Sequence, residues 1–199
     1  MTTAASAFAS PPRAVDRRRF LFATATGLLA ASVGARSATA ATDDDLAYAN
    51  FGLASSYLLA DFYGRALQSG RLGSAVRPTL RRGRSVSTLQ ARALTDLLTG
   101  AGDTPATADD FTFEWPAGSF ATAATTRRTG LTVLDAVLGA YQTASATLSE
   151  SSYRVLFASL AASVAEQAGA FAPSGTGVEP FPTALDLEAA SAALEAYLG

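Results

Sequence analysis

The run Ala101 to Gly118, AGDTPATADDFTFEWPAG, divides this chain, because its Gly, Pro and Asp content forbids a regular helix across it. Long apolar stretches of helical period lie on both sides. Ahead of it, Thr42-Asp43-Asp44-Asp45 sets a cap and acidic residues before a stretch that closes at Gln68-Ser69-Gly70, which predicts helix one over 43–69. A second helix is expected over 75–99, ending at Gly100. Beyond the run, the pattern predicts helix three over 119–148 and helix four over 151–171. Pro173, Gly175, Gly177, Pro180 and Pro182 then make an extended tail, and an amphipathic segment from Leu185 to Leu198 reads as a closing helix. Two helical hairpins joined by one long connection are what a four-helix bundle with a single crossover requires, and no βαβ alternation competes with it. The expected fold is therefore all-α: four helices, one long crossover between helices two and three, and a C-terminal helix.

The 3.6-residue period names the inward faces. On helix two, Leu80, Ser87, Ala91, Leu94 and Leu98 share a face, with Gln90 at its edge and Asp96 opposite. Helix three carries the stripe Leu131, Leu134, Leu138, Tyr141 and Leu148, with Asp135 on its flank. Helix four lines up Tyr153, Phe157, Leu160, Val164, Ala168 and Phe171, which turns Glu166 well over about 100° away from the core by wheel geometry. Helix one is apolar around most of its circumference, with Asn50, Asp61, Arg65 and Gln68 gathered on one side. Asp61 and Arg65 read as an exposed i, i+4 pair. In the crossover, Phe111, Phe113 and Trp115 alternate like a short strand or a lid and are expected to pack the connection onto the bundle.

Composition removes most catalytic classes. With no Cys and no His, the chain has no disulfide framework, no cysteine nucleophile, no zinc-thiolate site and no imidazole base or ligand. All 15 basic residues are arginine, so Schiff-base and phosphate-loop lysine chemistry are absent too. A serine nucleophile would lack an ordinary base. The acidic pair Asp109 and Asp110 beside Trp115 is adjacent in sequence, which suits two convergent hydrolytic carboxylates poorly. Asp43, Asp44 and Asp45, like Asp109 and Asp110, lack the spaced Asp and Gly of a calcium loop and read as capping and solubilising clusters. The reading is of a protein that is not an enzyme.

The N-terminus carries an address. Asp16-Arg-Arg-Arg-Phe-Leu-Phe22 precedes the apolar run ATATGLLAASVGA, and Ser37-Ala-Thr-Ala-Ala41 follows as a small-residue cleavage pattern. This resembles a twin-arginine export signal with Arg17 and Arg18 as the pair. The apolar run is shorter than the roughly 20 residues of a membrane span and contains Gly27 and Gly34. Residues 1–40 are therefore read as a signal peptide, 41–172 as the bundle and 173–199 as a tail with the C-terminal helix; the expected location is outside the cytoplasm. Without residues 1–40, ten Arg stand against sixteen Asp and Glu, a net charge of −6, which disfavours nucleic acid as a partner. The basic cluster Arg77, Arg81, Arg82 and Arg84 reads as a solvated helix face.

The segments LAYANFGLASSYLLADFYGRAL (46–67), GDTPATADDFTFEW (102–115), TVLDAVLGAY (132–141) and EPFPTALDLEAASAAL (179–194), in this order and spacing, resemble the exported ferritin-like proteins of the desiccation-related type. The resemblance implies a ferritin-like four-helix bundle. In its metal-binding members it also implies inward ligands: Glu on helix one, Glu-x-x-His on helix two, Glu on helix three and Glu-x-x-His on helix four. The matching positions here are Ser56 and Leu59, then Ser87 and Gln90, then Leu134, then Ala165 and Ala168. None is a carboxylate or an imidazole, and Glu166 is one residue out of register. No metal or other cofactor is expected, since Mn, Fe or Zn needs several converging charged or imidazole ligands. Gln90, Ser87 and Ser56 are expected to satisfy one another or Tyr141, and the space at Ala168 either to remain as a small cavity or to be filled by Phe157 and Phe171.

Three function classes remain. The leading one, as the resemblance implies, is an exported, metal-free bundle with a structural, protective or partner-binding role. The second is a small-molecule binder using the vacated core. The third is a metalloprotein with a non-standard carboxylate site, shared across a homodimer whose interface the apolar helix one would supply; burial of helix one under the C-terminal helix explains the same pattern.

Overall fold

The computed structural model describes residues 41–172 and 182–199. The signal-like segment 1–40 and most of the Pro/Gly-rich tail lie outside the described residues. Five α-helices follow in order: α1 Asp43–Ser69, α2 Arg77–Gly100, α3 Ala123–Thr147, α4 Ser151–Gly169 and α5 Leu187–Leu194. Single 3₁₀ turns, Ala108–Asp110 and Glu195–Tyr197, sit in the crossover and after α5. No strand occurs among the described residues; Phe113 and Leu198 form an isolated antiparallel bridge.

Local chemistry sets the ends. Thr42 and Asp45 form a reciprocal capping box at the start of α1, and Gly70 closes it in the left-handed region at φ 64°. Pro78 stands in the first turn of α2, where its missing N–H costs nothing. Thr122, with Thr125, caps α3, which begins four residues later than the apolar pattern alone suggests because 119–122 form a turn and the cap. Glu150 and Asp186 cap α4 and α5.

The helices pair as two hairpins, α1 on α2 and α3 on α4, and the hairpins join along α1 and α3. The inward residues of α4 are those the period names: Tyr153, Phe157, Leu160, Val164 and Ala168 are all buried, and Phe171 is buried just past the helix end. On α2 the buried set adds Gly83, and Gln90 lies inside the face instead of at its edge. The buried face of α3 is wider than a single stripe, taking in Val133, Ala136, Val137, Ala140 and Ala144, while Leu131 is only half-buried. The reason is a second neighbour: the chain entering α5 crosses α3 so closely that a Cβ on Gly139 would lie 2.6 Å from the Thr183 carbonyl oxygen. Leu185 donates its N–H to the Gly139 carbonyl at that crossing.

The same layer accounts for the apolar circumference of α1. Phe51, Ala54 and Leu58 face Leu194 and Leu198 across a narrow space, so α5 and its following turn cover this face. Large exposed apolar side chains among the described residues are Leu89 and Val155, on different helices.

Candidate functional site

The polar side chains at the bundle centre are mostly uncharged. Ser56 on α1 is fully buried, and its hydroxyl donates to the Gly52 carbonyl one turn back at 2.8 Å. The Tyr141 hydroxyl, from α3, donates to the same carbonyl at 3.3 Å. A Cβ on Gly52 would press on Leu94 at 3.2 Å and touch the Tyr141 hydroxyl at 3.5 Å. Ser87 on α2 likewise donates to Gly83, at 3.0 Å. Both serines therefore turn to their own helix, a local geometry always within reach of a helical serine, rather than to each other, while Ser56 also meets the Tyr141 hydroxyl, the other partner expected of it. Gln90, expected to join them, is buried with its Oε1 lacking any partner. Burial pushes the Tyr141 phenol far above its ordinary value, moderated by Ser56, and does the same to Tyr63, whose hydroxyl donates to Gln167 Oε1 at 2.7 Å.

Around these groups the core is hydrocarbon. Leu59 on α1 and Leu134 on α3 are both fully buried. Ala168 on α4 is buried and Ala165 sits half-buried on the flank of the same helix. The two phenylalanines expected near Ala168 both pack inward. Phe157 meets Tyr141 edge-on at 5.3 Å, and Phe171 meets Phe62 at 5.6 Å, with both rings fully buried.

A family model, described as Ferritin-like domain, matches residues 44–174, which spans all four bundle helices and the crossover. The chain belongs to the ferritin-like family. No curated protein and no solved structure gives a significant match.

A ferritin-like di-metal centre needs converging carboxylates and imidazoles in the bundle interior. At and beside the matched positions, the donors among the described residues are the Ser56 and Ser87 hydroxyls, which bond backbone carbonyls, the Tyr141 phenol and the Gln90 amide, all uncharged. That donor set does not fit two divalent metal ions, whose hydration it could not replace. Among the described residues, no group of three or more acidic side chains converges to hold a metal ion. The carboxylates nearest in sequence to the ligand positions point elsewhere: Asp135 and Glu166 are exposed, and Glu166 forms a loose ion pair with Arg82 at 3.4 Å.

Two carboxylates do more than their sequence context suggests. Asp45 is fully buried, and its oxygens accept from the Thr42 N–H at 2.9 Å and, 104 residues away, the Ser149 N–H at 2.8 Å. Burial acts to raise this carboxyl, but the backbone donors of Thr42, Ser149 and Glu150 and the Thr42 hydroxyl outweigh it and hold it below the ordinary value. Asp61, expected on an exposed face, is half-buried: Arg65 Nε donates to it at 2.6 Å and the indole N–H of Trp115 at 2.7 Å. Trp115 thus ties the crossover to α1. The signal for this was the Asp61 and Arg65 spacing together with a lone tryptophan in a connection, but no periodicity links them. In the crossover, Asp110 accepts from the Thr107 N–H and hydroxyl, the capping role expected of it.

No helix among the described residues is long and apolar enough to cross a membrane.

Proposed function

We propose that this chain is a ferritin-like bundle that works without a di-metal centre, as an exported structural, protective or partner-binding module rather than an enzyme. One observation carries the reading. At the positions that the resemblance matches to the Glu and His of a ferritin-like centre, this chain has Ser56, Leu59, Ser87, Gln90, Leu134, Ala165 and Ala168; Ser56 and Ser87 bond to their own helices and the Gln90 Oε1 has no partner. Glu to Leu roughly conserves volume, so Leu59 and Leu134 give the bundle apolar contacts where ions would otherwise cross-link it. Export is supported by the twin-arginine stretch at 16–22 and the small residues at 37–41.

The test is elemental analysis of the protein lacking residues 1–40, folded with iron, manganese and zinc present and then desalted. The expected content is below about a tenth of an equivalent of metal per chain. Near-stoichiometric metal that is lost in Glu166→Ala or Asp135→Ala would overturn the reading and reopen an oxidoreductase function.

A further inference from the structure

A groove outside the bundle core is large enough to hold a small molecule. It runs between α1, α2 and the crossover, with a volume of about 770 Å³, inside the roughly 300–1,000 Å³ range of small-molecule sites. Its two sides differ in chemistry. Arg65, Arg84 and Arg92 project from α1 and α2, while Tyr57, Phe111 and Phe113 supply aromatic surface.

The charge on the arginine side is not used up internally. Arg65 is engaged by Asp61, which Trp115 also occupies. Among the described residues, neither Arg84 nor Arg92 has an ion-pair partner. The other lining carboxylate, Asp96, is exposed. Arg84 is exposed and lies beside α1: its Nε and Cζ are 3.9 Å from the point where Gly64 would carry a Cβ, an ordinary contact distance.

The aromatic side is held in place. Phe111 and Phe113 stack with centroids 5.8 Å apart and planes within 4° of parallel, and Tyr57 meets Phe111 at 5.7 Å. The backbone that carries them is pinned by the chain's own C-terminus: Glu114 N–H donates to the Tyr197 carbonyl at 3.0 Å, and Gly199 N–H to the Thr112 carbonyl at 2.9 Å. A wall fixed before a ligand arrives lowers the ordering cost of binding.

We propose that this groove binds a small planar anion, an aromatic carboxylate, with its ring against the Phe111 and Phe113 side and its carboxylate on the arginine side, at Arg84 or at Arg92, which stand two helical turns apart on α2. A guanidinium binds a carboxylate in a bidentate fork, and an aromatic body buries against the phenylalanines. Inorganic phosphate would meet the arginines and leave the aromatic side bare; an uncharged aromatic would do the reverse. The site lies outside the bundle centre, so it stands or falls independently of the metal-free reading.

The test is isothermal titration calorimetry of the protein lacking residues 1–40 with 1-naphthoate as probe. Saturable one-site binding is expected. 1-Naphthalenemethanol, the same ring without the charge, should bind about tenfold or more weakly, as should the Arg84→Gln/Arg92→Gln variant, in line with the loss of at least one charge-assisted hydrogen bond. Both arginines are exposed, so the double variant is expected to keep the wild-type melting temperature. Inorganic phosphate, which meets only the arginines, should bind about tenfold or more weakly than naphthoate at matched ionic strength. No saturable binding of naphthoate, equal affinity for the alcohol, full affinity in the folded double variant, or phosphate binding as tight as that of naphthoate would each overturn the proposal.

Discussion

Replacing Asp45 by Ala tests how far one buried carboxylate holds the two hairpins together. Asp45 sits in the first turn of α1, yet one of its oxygens receives the N–H of Ser149, in the short turn between α3 and α4. The other completes the capping box with Thr42. Hydrogen bonds to a charged group contribute about 1.5–3 kcal/mol each. Two such bonds are lost on truncation, and the Ser149 N–H loses its side-chain acceptor, whereas the cost of burying the carboxylate is recovered. The balance predicts a loss of about 3 kcal/mol for Asp45→Ala, or about 6–12 °C in melting temperature for a domain of this size. Asp45→Asn keeps an acceptor oxygen but not the charge, and should fall between the two.

The pH dependence follows from the direction of the shift. The folded-state carboxyl titrates below its ordinary value of 3.8, so its contribution to stability is fully present above that pH. It is lost as pH falls through the lower, folded-state value. Urea unfolding followed by circular dichroism should therefore show the full difference between wild type and Asp45→Ala at neutral pH and at about pH 5, narrowing only below 3.8. A neutral-pH difference under about 1 kcal/mol, or a gap that stays constant well below that pH, would refute the clamp.

Two further substitutions probe the packing. At Gly83 of α2 an added Cβ would lie 2.6 to 2.9 Å from three atoms of the Tyr63 ring, whose hydroxyl is held by Gln167. Overpacking of about 1–3 kcal/mol should outweigh the helix-propensity gain of about 1 kcal/mol, so Gly83→Ala should lower the melting temperature while Gly169→Ala, with nothing within 4 Å, should leave it unchanged or raise it. The Ser55 hydroxyl is buried against α5 without a hydrogen-bond partner, so Ser55→Ala should leave the urea midpoint unchanged or raise stability by about 1 kcal/mol; a clear loss would mean the hydroxyl is satisfied in solution.

Much of the bundle was legible before any coordinates. The bounds of α1 and the inward line of α4 follow from a 3.6-residue period, caps and Gly or Pro breakers, all of which act over a few neighbouring residues. The outward direction of Glu166 belongs with them: a position two residues from the buried Val164 and Ala168 faces solvent on any straight helix. The fates of Ser56, Ser87 and Gln90 were less legible, because each polar side chain had to choose between its own helix and a neighbour, and local pattern does not rank those choices.

The sequence by itself determined that this chain makes four amphipathic or apolar helices in two hairpins. Only the tertiary structure decided that Asp45 reaches Ser149, that Asp61 receives Trp115, that α5 covers α1, and that three arginines and three aromatic rings share one groove. The physical reason is range. Helix formation and facing are settled by contacts three or four residues apart, which leave a period in the sequence. Contacts between residues about fifty or a hundred positions apart depend on how helices dock, and a single Asp, Gly or Trp carries no periodic trace of the partner it will meet.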